Sequence, residues 1–219
     1  MHHTVQNLIN IEKKIQSNLS NLNINNQTKI IAVSKTFELD KILPLIDYGH
    51  LHYGENKVQE AVEKWSNLKK DRSDIKLHLI GRLQTNKVKY AVKLFDYIHS
   101  VDSQKLAKKI YDEQMKLNKK IKIFIQVNIG NEDQKSGINK VELENLISYC
   151  KEIKLNVIGL MCIPPIDINP NDCFNEMRQM NINFGFNELS MGMSSDYIDA
   201  VNNNSTYVRI GSSIFGSRS

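Results

Sequence analysis

Apolar residues return every three or four positions between Val5 and Leu22, with Leu8, Ile9, Ile11, Ile15 and Leu19 on one side, which predicts an amphipathic helix at the start of the chain. Beyond it the period changes. Short apolar runs of strand length alternate with helical patterns as far as the final residues. The predicted strands cover 30–34, 51–54, 76–80, 97–100, 121–128, 156–161, 188–190 and 206–210, eight in all. Helical patterns occupy 39–48, 58–68, 86–94, 104–117, 140–151, 172–184 and 196–202. No hairpin turn joins successive strands, so parallel pairing through crossover helices is predicted. Eight such units close a (β/α)8 TIM barrel, an α/β fold, here with an extra helix at the amino terminus. An open doubly wound sheet is the alternative, but its glycine-rich fingerprint follows the first strand. Here that strand runs into Ser34-Lys35-Thr36-Phe37, which has no glycine.

The chain has 219 residues, 41% of them hydrophobic, enough for one substantial core. Only four prolines occur, and no Pro/Gly/Ser-rich stretch interrupts the periodicity, so 1–219 is expected to be a single domain. The longest predicted loop runs from Pro164 to Asp172. The net charge of +5 is spread among nearly as many acids, and the basic stretches at 69–70 and 119–122 lack the aromatic interleaving of a single-strand-binding surface. Nucleic acid is therefore not an expected partner. No run of about 18 apolar residues predicts a membrane span, and no leader pattern opens the chain. Cys150, Cys162 and Cys173 are odd in number and lack a Cys-x-x-Cys pair, which points to a reducing, cytoplasmic setting. Histidines 50, 52, 78 and 99 fall on separate elements without ligand spacing, so no metal site is expected; His78 reads as a satisfied strand residue.

Barrel enzymes carry their chemistry at the carboxyl ends of the strands. Those positions hold Lys35, then Glu55 and Asn56, residues 81–86, Ser100 and Asp102, Asn128, Met161, residues 190–194 and residues 209–213. Lys35 closes an otherwise apolar strand; it is either a lysine snorkelling from a strand end or a nucleophile whose ammonium form burial disfavours. Two Gly/Ser turns, Ser190-Met191-Gly192-Met193-Ser194 and Arg209-Ile210-Gly211-Ser212-Ser213, follow strands seven and eight, where many barrels hold a phosphate. Ser194, Gly211 and Ser212 offer hydroxyl and backbone N–H donors there. A reactive amine beside a phosphate cradle points to pyridoxal 5′-phosphate. Arg209 is expected to meet either the phosphate or the pyridine nitrogen, where a permanent cation keeps the ring unprotonated. Asn56 is either a partner for the ring's phenolic oxygen or a helix cap.

Several segments together carry a family resemblance: Ala32-Val33-Ser34-Lys35-Thr36, Tyr53-Gly54-Glu55-Asn56-Lys57-Val58-Gln59-Glu60, His78-Leu79-Ile80-Gly81-Arg82-Leu83-Gln84-Thr85-Asn86-Lys87, Leu189-Ser190-Met191-Gly192-Met193-Ser194 and Val208-Arg209-Ile210-Gly211-Ser212-Ser213. The shorter runs Gln126-Val127-Asn128 and Gly159-Leu160-Met161 fall between them in order. The chain resembles the pyridoxal phosphate homeostasis proteins of the YggS/PROSC type. The resemblance implies the barrel of the alanine racemase N-terminal domain and a Schiff base between pyridoxal phosphate and Lys35. It also implies a role in vitamin B6 homeostasis, with apo forms of cofactor-dependent enzymes as recipients. Arg82 and the Asn-rich run at 202–205 depart from the family pattern, away from the expected anchors. Lys135, in a family-like stretch, is either a second amine or a solvated loop lysine.

Holding the cofactor does not supply a reaction. A racemase needs acid/base groups on both faces of its substrate. The resemblance to alanine racemase covers the barrel alone, and the domain that supplies the opposing tyrosine there has no counterpart before the chain stops at Ser219. Tyr53 or Tyr197 is the substitute the sequence offers, although each also reads as packing. A non-catalytic, monomeric carrier is therefore the expectation, with a cofactor-dependent amino-acid racemase as the alternative.

Overall fold

The computed structural model describes residues 1–24, 26–132 and 136–216. Eight parallel strands close in chain order into a barrel: β1 (Lys29–Val33), β2 (His52–Glu55), β3 (Lys76–Leu79), β4 (Tyr97–Val101), β5 (Lys122–Gln126), β6 (Val157–Met161), β7 (Glu188–Ser190) and β8 (Tyr207–Ile210). Closure is made by β1 against β8, with Ile30 opposite Val208 and Ile31 opposite Arg209. The period-2 alternation then sorts the side chains. Ile31, Tyr97, Phe124, Met161 and Tyr207 form a cluster inside the barrel, separate from the larger core between sheet and helices.

The helices are α1 (His3–Asn21), α2 (Leu39–Tyr48), α3 (Val58–Trp65), the single turn α4 (Leu68–Asp71), α5 (Val88–Leu94), α6 (Gln104–Lys116), α7 (Leu143–Glu152), α8 (Pro170–Asn183), α9 (Tyr197–Asn202) and α10 (Ser212–Phe215). The segment predicted as one helix over 58–68 divides into α3 and α4, whose intervening Ser66 and Asn67 remain near helical geometry. Helix α8 begins earlier than predicted, shortening the loop after β6. Asn169 caps it by accepting the Asn171 N–H, and Pro170 sits in its first turn, where a missing N–H costs nothing.

After β8 comes the four-residue α10, too short to cover the sheet there. Helix α1 takes that place. It packs against α2, α9 and α10, burying Val5, Leu8, Ile11, Ile15 and Leu19. Asn7 Nδ2 donates to the Ile214 carbonyl at 3.0 Å, tying α1 to α10. Asn7→Ala is expected to lower stability by about 1 kcal/mol in urea denaturation, the usual worth of one such bond. Among the described residues no helix is long and apolar enough to cross a membrane.

Candidate functional site

A cavity of about 570 Å³ opens at the carboxyl end of the barrel. Lys35, Asn56, Ser194, Arg209, Gly211 and Ser212, the six residues singled out from the sequence, all line it. They come from β1, β2, β7, β8 and the loops after them, up to 177 residues apart (212 minus 35). Its apolar wall is Val33, Phe37, Ile80, Ile163 and Met193. Met193 belongs to the Gly/Ser turn after strand seven; the other four carry no chemistry that marks them in the sequence, although Val33 and Ile80 have the parity that faces the barrel interior. Among the described lining residues the charged side chains are Lys35 and Arg209, and none is a carboxylate or a tyrosine.

Lys35 is half-buried at the end of β1, in a loop braced from behind. The fully buried Glu55 presents Oε1 to three donors: Ser34 Oγ at 2.8 Å, Trp65 Nε1 at 2.9 Å and Lys64 Nζ at 3.1 Å. Lys64 Nζ also donates to the Ser34 carbonyl at 2.9 Å. On the other side of Lys35, Thr36 adopts a left-handed φ of 66° and gives its N–H to Glu60 Oε1 at 2.7 Å. Both neighbours of the lysine are thus tethered to the β2–α3 unit. The sequence places Glu55 just after the second strand, at its carboxyl end. It is instead the last residue of β2, and its alternation points it outward to α3.

Asn56 follows Glu55, and the β3 loop presses on it. A Cβ at Gly81 would stand 2.4 Å from the Asn56 carbonyl oxygen, so only glycine permits this approach. Asn56 makes no cap for α3, whose N-cap is Lys57 without a side-chain bond. The two Gly/Ser turns are bound to each other. Arg209 N–H donates to the Gly192 carbonyl at 2.9 Å, and Gly192 holds a φ of 90° against Ala200. Ser194 Oγ accepts the N–H groups of Gly211 at 3.3 Å and Ser213 at 3.4 Å.

Arg209 is 4% exposed, and among the described residues no carboxylate pairs with it. Its Nη1 donates to Ser190 Oγ at 2.8 Å and its Nη2 to the Cys162 carbonyl at 2.9 Å. Burial pushes its pKa down from the ordinary value, with Cys162 and Asp196 opposing. A buried cation with only neutral partners is a standing preference for an anionic or lone-pair-bearing ligand.

The tyrosines offered by the sequence do not reach the cavity. Tyr53 points out of the barrel, donates its hydroxyl to the His50 carbonyl at 3.0 Å and packs on Trp65. Tyr197 is buried within α9. Both are packing residues, because outward parity in β2 and the α9 interface decide where their rings go. Among the described residues no group of three or more His, Cys, Asp or Glu is arranged to hold a metal. Lys135 lies outside the described residues.

The family described as "Alanine racemase, N-terminal domain" matches residues 9–219. The pyridoxal phosphate homeostasis protein of Aquifex aeolicus (strain VF5) is 39% identical over 203 residues, 88% of this chain and 88% of that protein. PipY of Synechococcus elongatus PCC7942, solved with PLP bound, is similar at a TM-score of 0.80 and 32% identity over 92% of this chain and all of that one. An alanine racemase of Clostridium difficile 630 shares the fold at a TM-score of 0.69 and 15% identity, over 93% of this chain but 56% of the racemase.

Proposed function

Because this chain belongs to the family of pyridoxal phosphate homeostasis proteins, built on the alanine racemase N-terminal barrel, we propose that residues 1–219 act as one unit that holds pyridoxal 5′-phosphate as a Schiff base on Lys35 and releases or hands it on. The observation that carries this reading is the convergence on one cavity wall of an amine and a guanidinium, Lys35 and Arg209, with Ser194, Gly211 and Ser212 of the two Gly/Ser turns. When bound, the cofactor supplies an aldehyde carbon that an amine captures reversibly.

Lys35 provides that amine from a loop held on both sides. Ser194, Gly211 and Ser212 hold the phosphate with hydroxyl and backbone donors, the Gly211 N–H turning to it from Ser194 Oγ, its acceptor at 3.3 Å. Asn56, fixed beneath Gly81, is the donor for the phenolic oxygen. Arg209 gives the inner end of the cavity a fixed cation. A guanidinium holds its protons too tightly to protonate a pyridine nitrogen, so it leaves the ring a poor electron sink, which suits storage better than catalysis. A racemase also needs acid/base groups on both faces of its substrate, whereas Tyr53 and Tyr197 are engaged in packing. Recipient apo enzymes belong to this reading as acceptors of the released aldehyde.

The test is addition of pyridoxal phosphate to the purified protein, a visible absorbance spectrum, borohydride reduction and peptide mass mapping. One adduct on Lys35 is expected, with loss of both the absorbance band and the adduct in Lys35→Ala. Adducts scattered over surface lysines, or an unchanged band in the variant, would overturn the assignment.

A further inference from the structure

Inside the barrel a line of hydrogen bonds continues from Arg209 away from the cavity. Arg209 Nη1 reaches Ser190 Oγ, which lies 2.9 Å from His99 Nδ1. His99 Nε2 lies 2.9 Å from His78 Nδ1, and His78 Nε2 lies 2.9 Å from His52 Nδ1. Ser190, His99 and His78 are fully buried, while His52 opens β2 at the amino end of the barrel and is half-buried. Strands β2, β3, β4 and β7 each contribute one member.

The direction of the line follows from the inventory of donors. A guanidinium only donates, so Ser190 Oγ accepts from Arg209. The serine has one hydrogen left, and His99 is its other partner in a fully buried position. Were His99 Nδ1 the donor, that hydroxyl hydrogen would be orphaned at a cost of about 1–3 kcal/mol. The hydroxyl therefore donates to His99 Nδ1. Burial holds His99 and His78 neutral, with the Arg209 charge also depressing His99, so each ring carries one hydrogen. That hydrogen sits on Nε2 in His99, then in His78, then in His52. Every ring then turns its lone pair toward the guanidinium and its N–H away, the favourable orientation for dipoles beside a buried cation. Arg209 ends the line, because its guanidinium stays protonated; the rings cannot pass a proton into the cavity.

We propose that Ser190, His99, His78 and His52 form a one-way hydrogen-bond chain that seats the Arg209 guanidinium in the cavity wall, with Ser190 and His99 as its positioning residues. The chain takes the role that a carboxylate usually fills, and it leaves the Arg209 charge unneutralised for an anionic or lone-pair ligand. The ligand's identity rests on the pyridoxal phosphate reading above; the direction of the chain does not.

The first test uses the unmodified protein without cofactor. Long-range ¹⁵N–¹H correlation of the imidazoles is expected to show the Nε2–H form at His52, His78 and His99. An Nδ1–H form at His99 overturns the chain. The second test compares Ser190→Ala, His99→Phe and His99→Gln. The first two are expected to sharpen into fast-exchanging Arg209 side-chain signals and to weaken pyridoxal phosphate binding about tenfold, the equivalent of one hydrogen bond to a charged group. His99→Gln, whose amide both accepts and donates, is expected to recover most of both. Unchanged Arg209 signals in Ser190→Ala overturn the positioning role. Failure of the parent protein to bind the cofactor at Lys35 would remove the ligand reading and leave the tautomers and Arg209 signals to decide the chain.

Discussion

Between pH 6.5 and about 4 the folded protein is expected to lose stability steeply, before most carboxylates titrate. Burial lowers the pKa of both His50 and His52 from 6.5 to about 4, and it drives His78 and His99 well below the ordinary imidazole value. Unfolded, all four take up a proton near pH 6.5. The unfolded chain therefore binds more protons than the folded one throughout this window, and stability rises with pH across it and is lost as pH falls. Each ring contributes a slope of at most about 1.4 kcal/mol per pH unit, so His50 and His52 together reach about 3. Over the roughly 2.5 pH units of the window the two amount to at most about 7 kcal/mol, comparable with a typical total stability of about 5–15 kcal/mol. Urea midpoints measured every half pH unit check this. A flat profile between pH 6.5 and 5 would show that the rings protonate in place, which the hydrogen-bond chain does not allow.

Lys64→Met is expected to destabilise the fold by about 3–5 kcal/mol, because it leaves the buried Glu55 carboxylate without its cation. Glu55 is fully buried and the Lys64 side chain only 9% exposed, so solvent cannot replace the lost cation. Glu55 Oε2 has no hydrogen-bond partner, so the charge rests on Oε1 and its three donors. The same change frees the Ser34 carbonyl just before Lys35. Adding Glu55→Gln to Lys64→Met is expected to recover part of the loss, since the amide keeps an acceptor for Ser34 and Trp65 without a charge. The difference between single and double variants in urea denaturation isolates the unpaired charge. A cost below about 1 kcal/mol for the single variant would mean that Ser34 and Trp65 alone suffice as partners for Glu55.

The fold was legible because its signal is local. The spacing of Leu8, Ile11, Ile15 and Leu19 is a helix face whatever lies around it, and eight apolar runs separated by crossover lengths admit few parallel topologies. Element ends were read less well where a cap or a break decided them, as at Asn169-Pro170 and Ser66-Asn67. The six proposed cofactor contacts were legible for a related reason. A barrel brings strand carboxyl ends to one mouth, so Lys35 and Arg209 could be placed together from strand order alone.

What the sequence by itself determined was the set of elements, their order and the mouth at which Lys35, Asn56 and the two Gly/Ser turns meet. Only the tertiary structure decided which way each side chain faces and what it touches. Glu55 and Tyr53 turned out to serve the helix layer, and α1 to fill the place that α10 is too short to cover. His52, His78, His99 and Ser190 carry no spacing that marks them, being separated by up to 138 residues (190 minus 52) on four strands. Their contact depends on barrel closure and on inward parity in each strand at once, and both are properties of the closed sheet rather than of any segment in it.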